Sequence, residues 1–226
     1  MKKKNFVLIL LSIASLLTLC FWIFLTHQKV EDVKDWKEYK NIFAIAVPQD
    51  FNATKKERLQ EKIKRAQGLF ENKEDVAPFW RAMGDIYQYV GDYDRAILVY
   101  KESISIVKYD LSSTLNLATI YEKHVEDFSI AEEYYKKAIS IHDENPPVYN
   151  KFAQFYEQKM KDISSAESVY LEGLKNTGND QYMLTKTILF YLRIEKESEA
   201  KKYAKILFEK YPNDTRYQRD FGYLLD

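Results

Sequence analysis

Residues that could carry out chemistry are few in this 226-residue chain, and they are widely separated. The three histidines, His27, His124 and His142, form neither an HExxH sequence nor a His and Cys cluster with metal-ligand spacing. Cys20 is the only cysteine, so the rest of the chain has no thiol nucleophile and no disulfide. A glycine-rich phosphate loop is also absent. The sequence therefore predicts no enzyme, no cofactor, no metal site and no small-molecule substrate.

Neighbouring carboxylates are abundant, and Glu132-Glu133 is a pair of the kind that acid and base catalysis uses. Lys136 and Lys137 follow one helical turn later, where lysines form i,i+4 pairs with such glutamates. We interpret these carboxylates as part of a solvated helix face.

Composition argues against nucleic acid and favours helices. Lysine plus arginine equal aspartate plus glutamate, 34 against 34, which leaves no excess of cations for a nucleic-acid groove. The chain is 46% hydrophobic, and it contains only six glycines and five prolines. Few turn residues and few alternating runs are typical of long helices with short connections. We therefore expect an almost entirely α protein.

The apolar residues recur in a repeated pattern that predicts pairs of helices. The first copy places an aromatic, a large apolar, a small and a second aromatic residue on one helix face, at Trp80, Met83, Gly84 and Tyr87. After a break at Gly91-Asp92, a second helix carries a stripe of Ala96, Tyr100 and Ser103. The pattern returns at Thr114, Leu117, Ala118 and Tyr121 with Ala131, Tyr135 and Ala138, and again at Tyr149, Phe152, Ala153 and Tyr156 with Ala166, Tyr170 and Gly173. A weaker fourth copy runs through Tyr191, Ala200, Ala204 and Leu207 to Pro212.

The copies are 34 and 35 residues apart, as measured from Trp80 to Thr114 and on to Tyr149. We place the extra residues in the turns at 124–127 and 159–162. Most of the tyrosines and phenylalanines coincide with repeat positions, so they are expected in the core rather than in a base-stacking surface.

This layout resembles the tetratricopeptide repeat, whose pattern is an aromatic residue, Leu-Gly and Tyr, then Ala, an aromatic residue, Ala and a closing Pro. The resemblance covers about residues 77–212. The chain departs from the pattern because only Pro212 closes a repeat in place, and because Ile188 stands where a small residue is expected. The resemblance implies an all-α solenoid of helical hairpins, with three clear repeats, a weaker fourth and end-capping helices. Its first helices would line a concave groove that holds a peptide or helix of a partner protein.

Some tetratricopeptide domains hold the acidic C-terminus of heat-shock chaperones with five polar residues from three repeats. At the matching places this chain has Arg81, Asp85, Asn116, Pro147 and Lys151, so two of the five places depart from the family pattern. The residues that we predict to contact a peptide in the groove are Arg81, Asn116, Lys151 and Gln154.

Capping helices are predicted at both ends of the repeats. In segment 51–76, Thr54-Lys-Lys-Glu57 matches a capping box that opens a helix with Leu59, Ile63 and Ala66 on one face. In segment 213–226, Asn213-Asp214 can cap a last helix that carries an apolar stripe of Tyr217, Phe221 and Leu224.

Residues 6–25 form an uncharged apolar stretch of twenty residues, which as a helix is about 30 Å long and matches the hydrocarbon thickness of a bilayer. Three lysines in the basic segment 1–5 favour a cytoplasmic N-terminus, which places the repeats outside the cytoplasm, in the periplasm or at the cell surface. The stretch lacks a small-x-small cleavage site, so an uncleaved anchor is favoured over a cleaved signal peptide. A lipoprotein signal ending at Cys20 is also disfavoured, because Leu19 stands where a small residue is required.

Residues 26–50 join the anchor to the repeats. Their dense mixed charge and apolar residues three apart favour a solvated helix over a partner-binding helix or a disordered linker. The short run NIFAIAVP at 41–48 fits either a strand or an apolar plug.

These features predict a membrane-anchored scaffold that binds a protein or peptide and assembles or tethers an envelope complex. The alternative is a cytosol-facing adaptor that binds chaperone or client C-terminal tails at an organelle membrane.

Overall fold

The computed structural model describes residues 44–71 and 76–225. The anchor predicted at 6–25, the basic segment before it and most of the linker lie outside the described residues. Among the residues that are described, no helix has the length and apolar character needed to cross a bilayer. These residues form helices and turns without a strand, and the end of the apolar run, residues 44–48, is irregular.

The described residues divide between two units, one that ends at residue 76 and one that begins at residue 77. In the first unit, α1 (Ala53–Glu71) begins where the Asn52 side chain accepts a hydrogen bond from the Lys55 backbone N–H at 2.9 Å. The predicted capping box at Thr54 is therefore wrong, because Thr54 already lies inside the helix. Leu59 and Ala66 are buried, as the helical periodicity predicts.

In the second unit, helices alternate in pairs joined by short turns. The first helices of the four repeats are α2 (Val76–Val90), α4 (Leu111–Ile120), α6 (Pro146–Phe155) and α8 (Gln181–Arg193). The second helices are α3 (Tyr93–Ile106), α5 (Phe128–Ile141), α7 (Ile163–Asn176) and α9 (Glu197–Lys210). Each first helix packs on the second helix of its own repeat, and each second helix of the first three repeats packs on the first helix of the next; α6 and α8 also pack on each other. The all-α array of helical hairpins is confirmed for the described residues.

The last helix, α10 (Thr215–Phe221), is followed by a 3₁₀ turn at Gly222–Leu224 and packs on α9. Asp214 caps it, as its sequence predicts, by accepting a hydrogen bond from the Arg216 backbone N–H at 3.1 Å. The predicted apolar stripe of this segment is buried: Tyr217, Phe221 and Leu224.

The second helices of the first three repeats begin at aspartates. Asp92, Asp127 and Asp162 each accept a hydrogen bond from the backbone N–H three residues later, at 3.0–3.2 Å. The residue before each aspartate has positive φ: Gly91 at 81°, Glu126 at 59° and Lys161 at 56°. This left-handed residue ends the first helix and turns the chain toward the second.

The extra residue of repeats two and three widens the first helix. We predicted that it lies in the turns at 124–127 and 159–162, but the last turns of these two helices are π-helical over Tyr121–Val125 and Tyr156–Met160. A π turn takes up one more residue than an α turn, so the insertion is absorbed before the left-handed residue is reached.

Helix contacts in the first repeat depend on a glycine. A Cβ atom placed on Gly84 would lie 2.4 Å from Cε1 of Tyr100, so only glycine lets this ring pack against α2. In the fourth repeat the larger side chain is on the first helix and the smaller one is on the second. Ile188 occupies the position of Gly84 and Ala204 that of Tyr100, and both are fully buried. The departure at Ile188 is therefore accommodated by the smaller residue on the second helix.

Candidate functional site

The first helices present one side to solvent. We call this side, with Asp85, Asn116, Lys151 and Lys186, the first-helix face. The position of Trp80 in the first repeat is occupied by Thr114, Tyr149 and Leu184 in the next three. Two residues after these lie Asn116, Lys151 and Lys186, which therefore have the same place on successive helices. The repeat thus aligns the polar side chains in a column that runs from repeat to repeat.

Asp85 joins the first two repeats. It accepts hydrogen bonds from the Tyr100 hydroxyl at 2.6 Å and from Asn116 Nδ2 at 3.2 Å. Burial and the hydrogen bond to this carboxylate raise the pKa of Tyr100 well above its ordinary value, so the hydroxyl stays protonated and continues to donate. The predicted contact residue Asn116 is thus already bonded within the chain.

Arg81 belongs to a second network at the same junction. Its Nη1 lies 3.2 Å from Oδ1 of Asp110, the residue that caps α4. Asp110 is buried and also accepts hydrogen bonds from the hydroxyls of Ser103 and Ser113. Burial by itself raises the pKa of Asp110, but the hydrogen bonds from the two serines and the charge of Arg81 outweigh it and lower the pKa below its ordinary value. Arg81 therefore stabilises the junction of the first two repeats.

Lys151 and Gln154 lie one turn apart on α6. Lys151 is exposed, and Gln154 is half-buried. The structure thus places the four predicted contact residues in two groups: Arg81 and Asn116 are bonded at the first junction, and Lys151 and Gln154 lie on the third repeat. Their role in binding a peptide stays a prediction.

The face continues onto α8 through a tyrosine that the sequence reasoning missed. Nδ2 of Asn150, a buried side chain on α6, donates to the Tyr182 hydroxyl at 3.0 Å. Nζ of Lys186 lies 5.1 Å from the centre of the Tyr182 ring, at the distance of a cation–π contact. Burial raises the pKa of Tyr182 above its ordinary value, so its hydroxyl is protonated at neutral pH.

A bidentate ion pair fixes α8 beside α6. Nε and Nη2 of Arg193 donate to the two carboxylate oxygens of Glu157 at 2.8 and 2.7 Å. This hydrogen bonding and the charge of Glu157 raise the pKa of Arg193, despite partial burial. The pair holds the first helices of repeats three and four in one arrangement, which sets the spacing of the side chains on the face.

One signal in the sequence could have identified Lys186. It lies 35 residues after Lys151, the same interval that separates Tyr149 from Thr114, and the position of Ile188 already fixes the phase of the fourth copy. Extending that copy back to Leu184 puts Lys186 at the position of Lys151. In the part of the chain that the structure describes, no group of histidine, cysteine or carboxylate side chains has the arrangement of a metal site.

Comparisons with known proteins agree with this geometry. Residues 80–112 match the tetratricopeptide repeat family. The crystal structure of MamA is similar to the chain with a TM-score of 0.52 and 17% identity, over 76% of this chain and 100% of MamA. The C-terminal part of a TPR repeat-containing protein from Cytophaga hutchinsonii is similar with a TM-score of 0.51 and 18% identity, over 66% of this chain and 60% of that one. No curated protein matches the chain in sequence.

At these identities the structural likeness shows the fold. Together with the family match, it identifies residues 80–112 as a tetratricopeptide repeat within a tetratricopeptide-type helical array.

Proposed function

We propose that this chain is a membrane-anchored scaffold that holds a peptide or helix of a partner protein on its first-helix face. The partner complex is in the cell envelope, where the chain helps to assemble or tether it. The observation that carries this proposal is the aligned column of polar side chains on successive first helices, because side chains repeated at one spacing suit an extended or helical protein segment.

Membrane anchoring rests on the sequence. The uncharged, mainly apolar stretch of twenty residues at 6–25 is long enough to span a bilayer, and the lysines before it favour a cytoplasmic N-terminus. In this arrangement the repeats are in the periplasm or at the cell surface, and the anchor keeps them close to the membrane.

Capture from native membranes tests the scaffold. The full chain and a Lys151→Glu variant are each used as bait, with Lys137→Glu as the matched control, because Lys137 is an exposed lysine on a second helix. We expect one set of proteins to be retained by the parent and the control and to be lost with Lys151→Glu. Equal capture by all three baits, or no specific capture by any, would contradict binding on this face.

An adaptor in the cytosol, bound to an organelle membrane, is the second candidate. Arg81, Asn116 and Lys151 favour it because they match part of the pattern that binds acidic C-terminal tails. The bonds of Arg81 to Asp110 and of Asn116 to Asp85 weigh against it, since both groups are already paired.

Topology separates the two candidates. An Asp226→Cys variant in a Cys20→Ser background is exposed to a membrane-impermeant thiol reagent, with and without permeabilisation of any outer membrane. Labelling of cells whose cytoplasmic membrane is still closed to the reagent supports the envelope scaffold. Labelling that requires lysis of the inner compartment supports the adaptor.

A further inference from the structure

Two lysines occupy equivalent places on adjacent helices. Lys151 on α6 and Lys186 on α8 are 35 residues apart, one repeat length, and these two helices pack against each other. Asn150, the neighbour of Lys151, contacts Tyr182, whose ring lies beside the ammonium group of Lys186. The repeat therefore brings both lysines to one part of the first-helix face.

The described residues do not neutralise these charges. Residues three and four positions before and after each lysine are apolar or uncharged, so neither has a carboxylate on its own helix face. Within residues 44–71 and 76–225, neither lysine forms an ion pair, whereas Lys136, Lys196 and Arg193 each pair with a glutamate.

Tyr182 adds a neutral donor beside Lys186. Its hydroxyl oxygen accepts from Asn150, which leaves the hydroxyl proton available to a ligand. Asn150 is only 6% exposed, and its Oδ1 lies 3.5 Å from the Tyr170 hydroxyl, so a buried side chain holds the tyrosine in place. Tyr182 itself is 38% exposed, which leaves it accessible.

The opposite end of the face has a different charge. Asp85 is exposed on α2, and the cation nearest to it in sequence, Arg81, is paired with Asp110. An anionic segment is repelled at Asp85 and attracted at Lys151 and Lys186, so charge complementarity favours the half of the face that belongs to repeats three and four.

From this arrangement we infer that repeats three and four bind an acidic segment of the partner protein, with its carboxylates held by Lys151, Lys186 and the Tyr182 hydroxyl. This inference rests on the proposed function, because it assigns the partner chemistry of the same face. It also gives the partner a direction, since the acidic part lies toward α8 and the neutral or basic part toward α2.

Fluorescence anisotropy with the full chain tests the inference. The probe is a fluorescein-labelled peptide of alternating Glu and Ser, and the comparison peptides of equal length alternate Gln and Ser or Lys and Ser. The variants are Lys151→Gln, Lys186→Gln and both together. The matched control is Lys137→Gln with Lys205→Gln, which removes two exposed charges from second helices.

We expect the Glu peptide to bind more tightly than the other two. Each single variant should weaken it about three- to fivefold and the double variant about tenfold or more, because each lysine contributes a partly exposed ion pair. Lys186→Arg should retain the affinity, and Tyr182→Phe should lower it about twofold to fivefold by removing one donor. The control pair should change it by less than about twofold.

Any of four results would overturn the inference. The Gln peptide could bind as tightly as the Glu peptide, or the control pair could lose as much affinity as the double variant. A single-stranded oligothymidine of equal charge could bind more tightly than the Glu peptide, which would make the face a general anion site. If the partner from native membranes is still captured by the double variant, the acidic-segment inference fails while the scaffold function stands. If the parent captures no partner, the scaffold function itself fails.

Discussion

Gly84→Ala is the substitution that most directly tests how the hairpins pack. The added Cβ would lie 2.4–2.6 Å from three ring atoms of Tyr100, so the ring has to move by about 1 Å to restore an ordinary contact. The Tyr100 hydroxyl is held by Asp85 at 2.6 Å, so this movement also strains a hydrogen bond to a charged group. Overpacking costs about 1–3 kcal/mol and loss of the bond about 1.5–3 kcal/mol, while alanine gains about 1 kcal/mol of helix propensity. We expect a net loss of about 1.5–5 kcal/mol.

Thermal unfolding of the full chain, followed by circular dichroism, measures this loss. For a chain of this size, it corresponds to a Tm lowered by about 3–20 °C. Gly68→Ala is the matched control, because Gly68 lies within α1 and a Cβ there meets no atom within 4 Å. The control should be as stable as the parent or more stable by up to about 1 kcal/mol.

The fourth repeat supplies a second test of the same reasoning. Because Ile188 and Ala204 replace the glycine and tyrosine there, Gly84→Ile combined with Tyr100→Ala should be less destabilising than the sum of the two single substitutions. Tyr100→Ala alone should cost about 3–5 kcal/mol, as expected for a large buried aromatic side chain. A Gly84→Ala variant that melts like the parent, or a double variant that is merely additive, would refute the packing described for these two positions.

Three further predictions concern the junctions, the turns and the face. Asp110→Asn should lower the free energy of unfolding at pH 7 by about 1.5–3 kcal/mol in urea unfolding, because a buried charge-assisted network is lost. Since the pKa of Asp110 is lowered in the folded state, its stabilisation is present above the unfolded pKa of about 3.9 and is lost as the pH falls through the folded value, so the variant and parent should converge in acid. Gly91→Ala should cost about 1 kcal/mol in the same assay, because Gly91 has a φ of 81°. Lys151→Ala should change the Tm by less than about 2 °C while it weakens partner capture, and unfolding of this variant would place Lys151 in the framework instead.

The repeat and its core positions follow from the sequence because they depend on local spacing. Residues at helical intervals share a face whatever the rest of the chain does, so the stripe of Ala96 and Tyr100 and its later copies are found buried as predicted. The small residue at Gly84 is understood in the same way, since it faces a large residue at a fixed interval.

Other features depend on contacts between distant residues, and spacing does not reveal them. The sequence predicts that Arg81 contacts a partner. In the structure Arg81 instead forms an ion pair with Asp110, which lies 29 residues later and caps a helix. The π turns were also missed, because an extra residue can lengthen a loop or widen a helix and the sequence is the same in both cases. Tyr182 was missed because its place depends on a buried hydrogen bond to Asn150.

The matching π turns also make part of the array modular. Residues 128–162 form a block of 35 that runs from the start of one second helix to the aspartate that caps the next. If this block is excised, Asp127 precedes Ile163 and takes over the cap of Asp162. If the block is duplicated, the π turn, the left-handed residue and the aspartate cap recur at the same spacing in the added repeat. Deleting or duplicating a block of this length can therefore shorten or lengthen the array by one repeat. The length of partner segment that the array contacts can thus be changed in steps of one repeat.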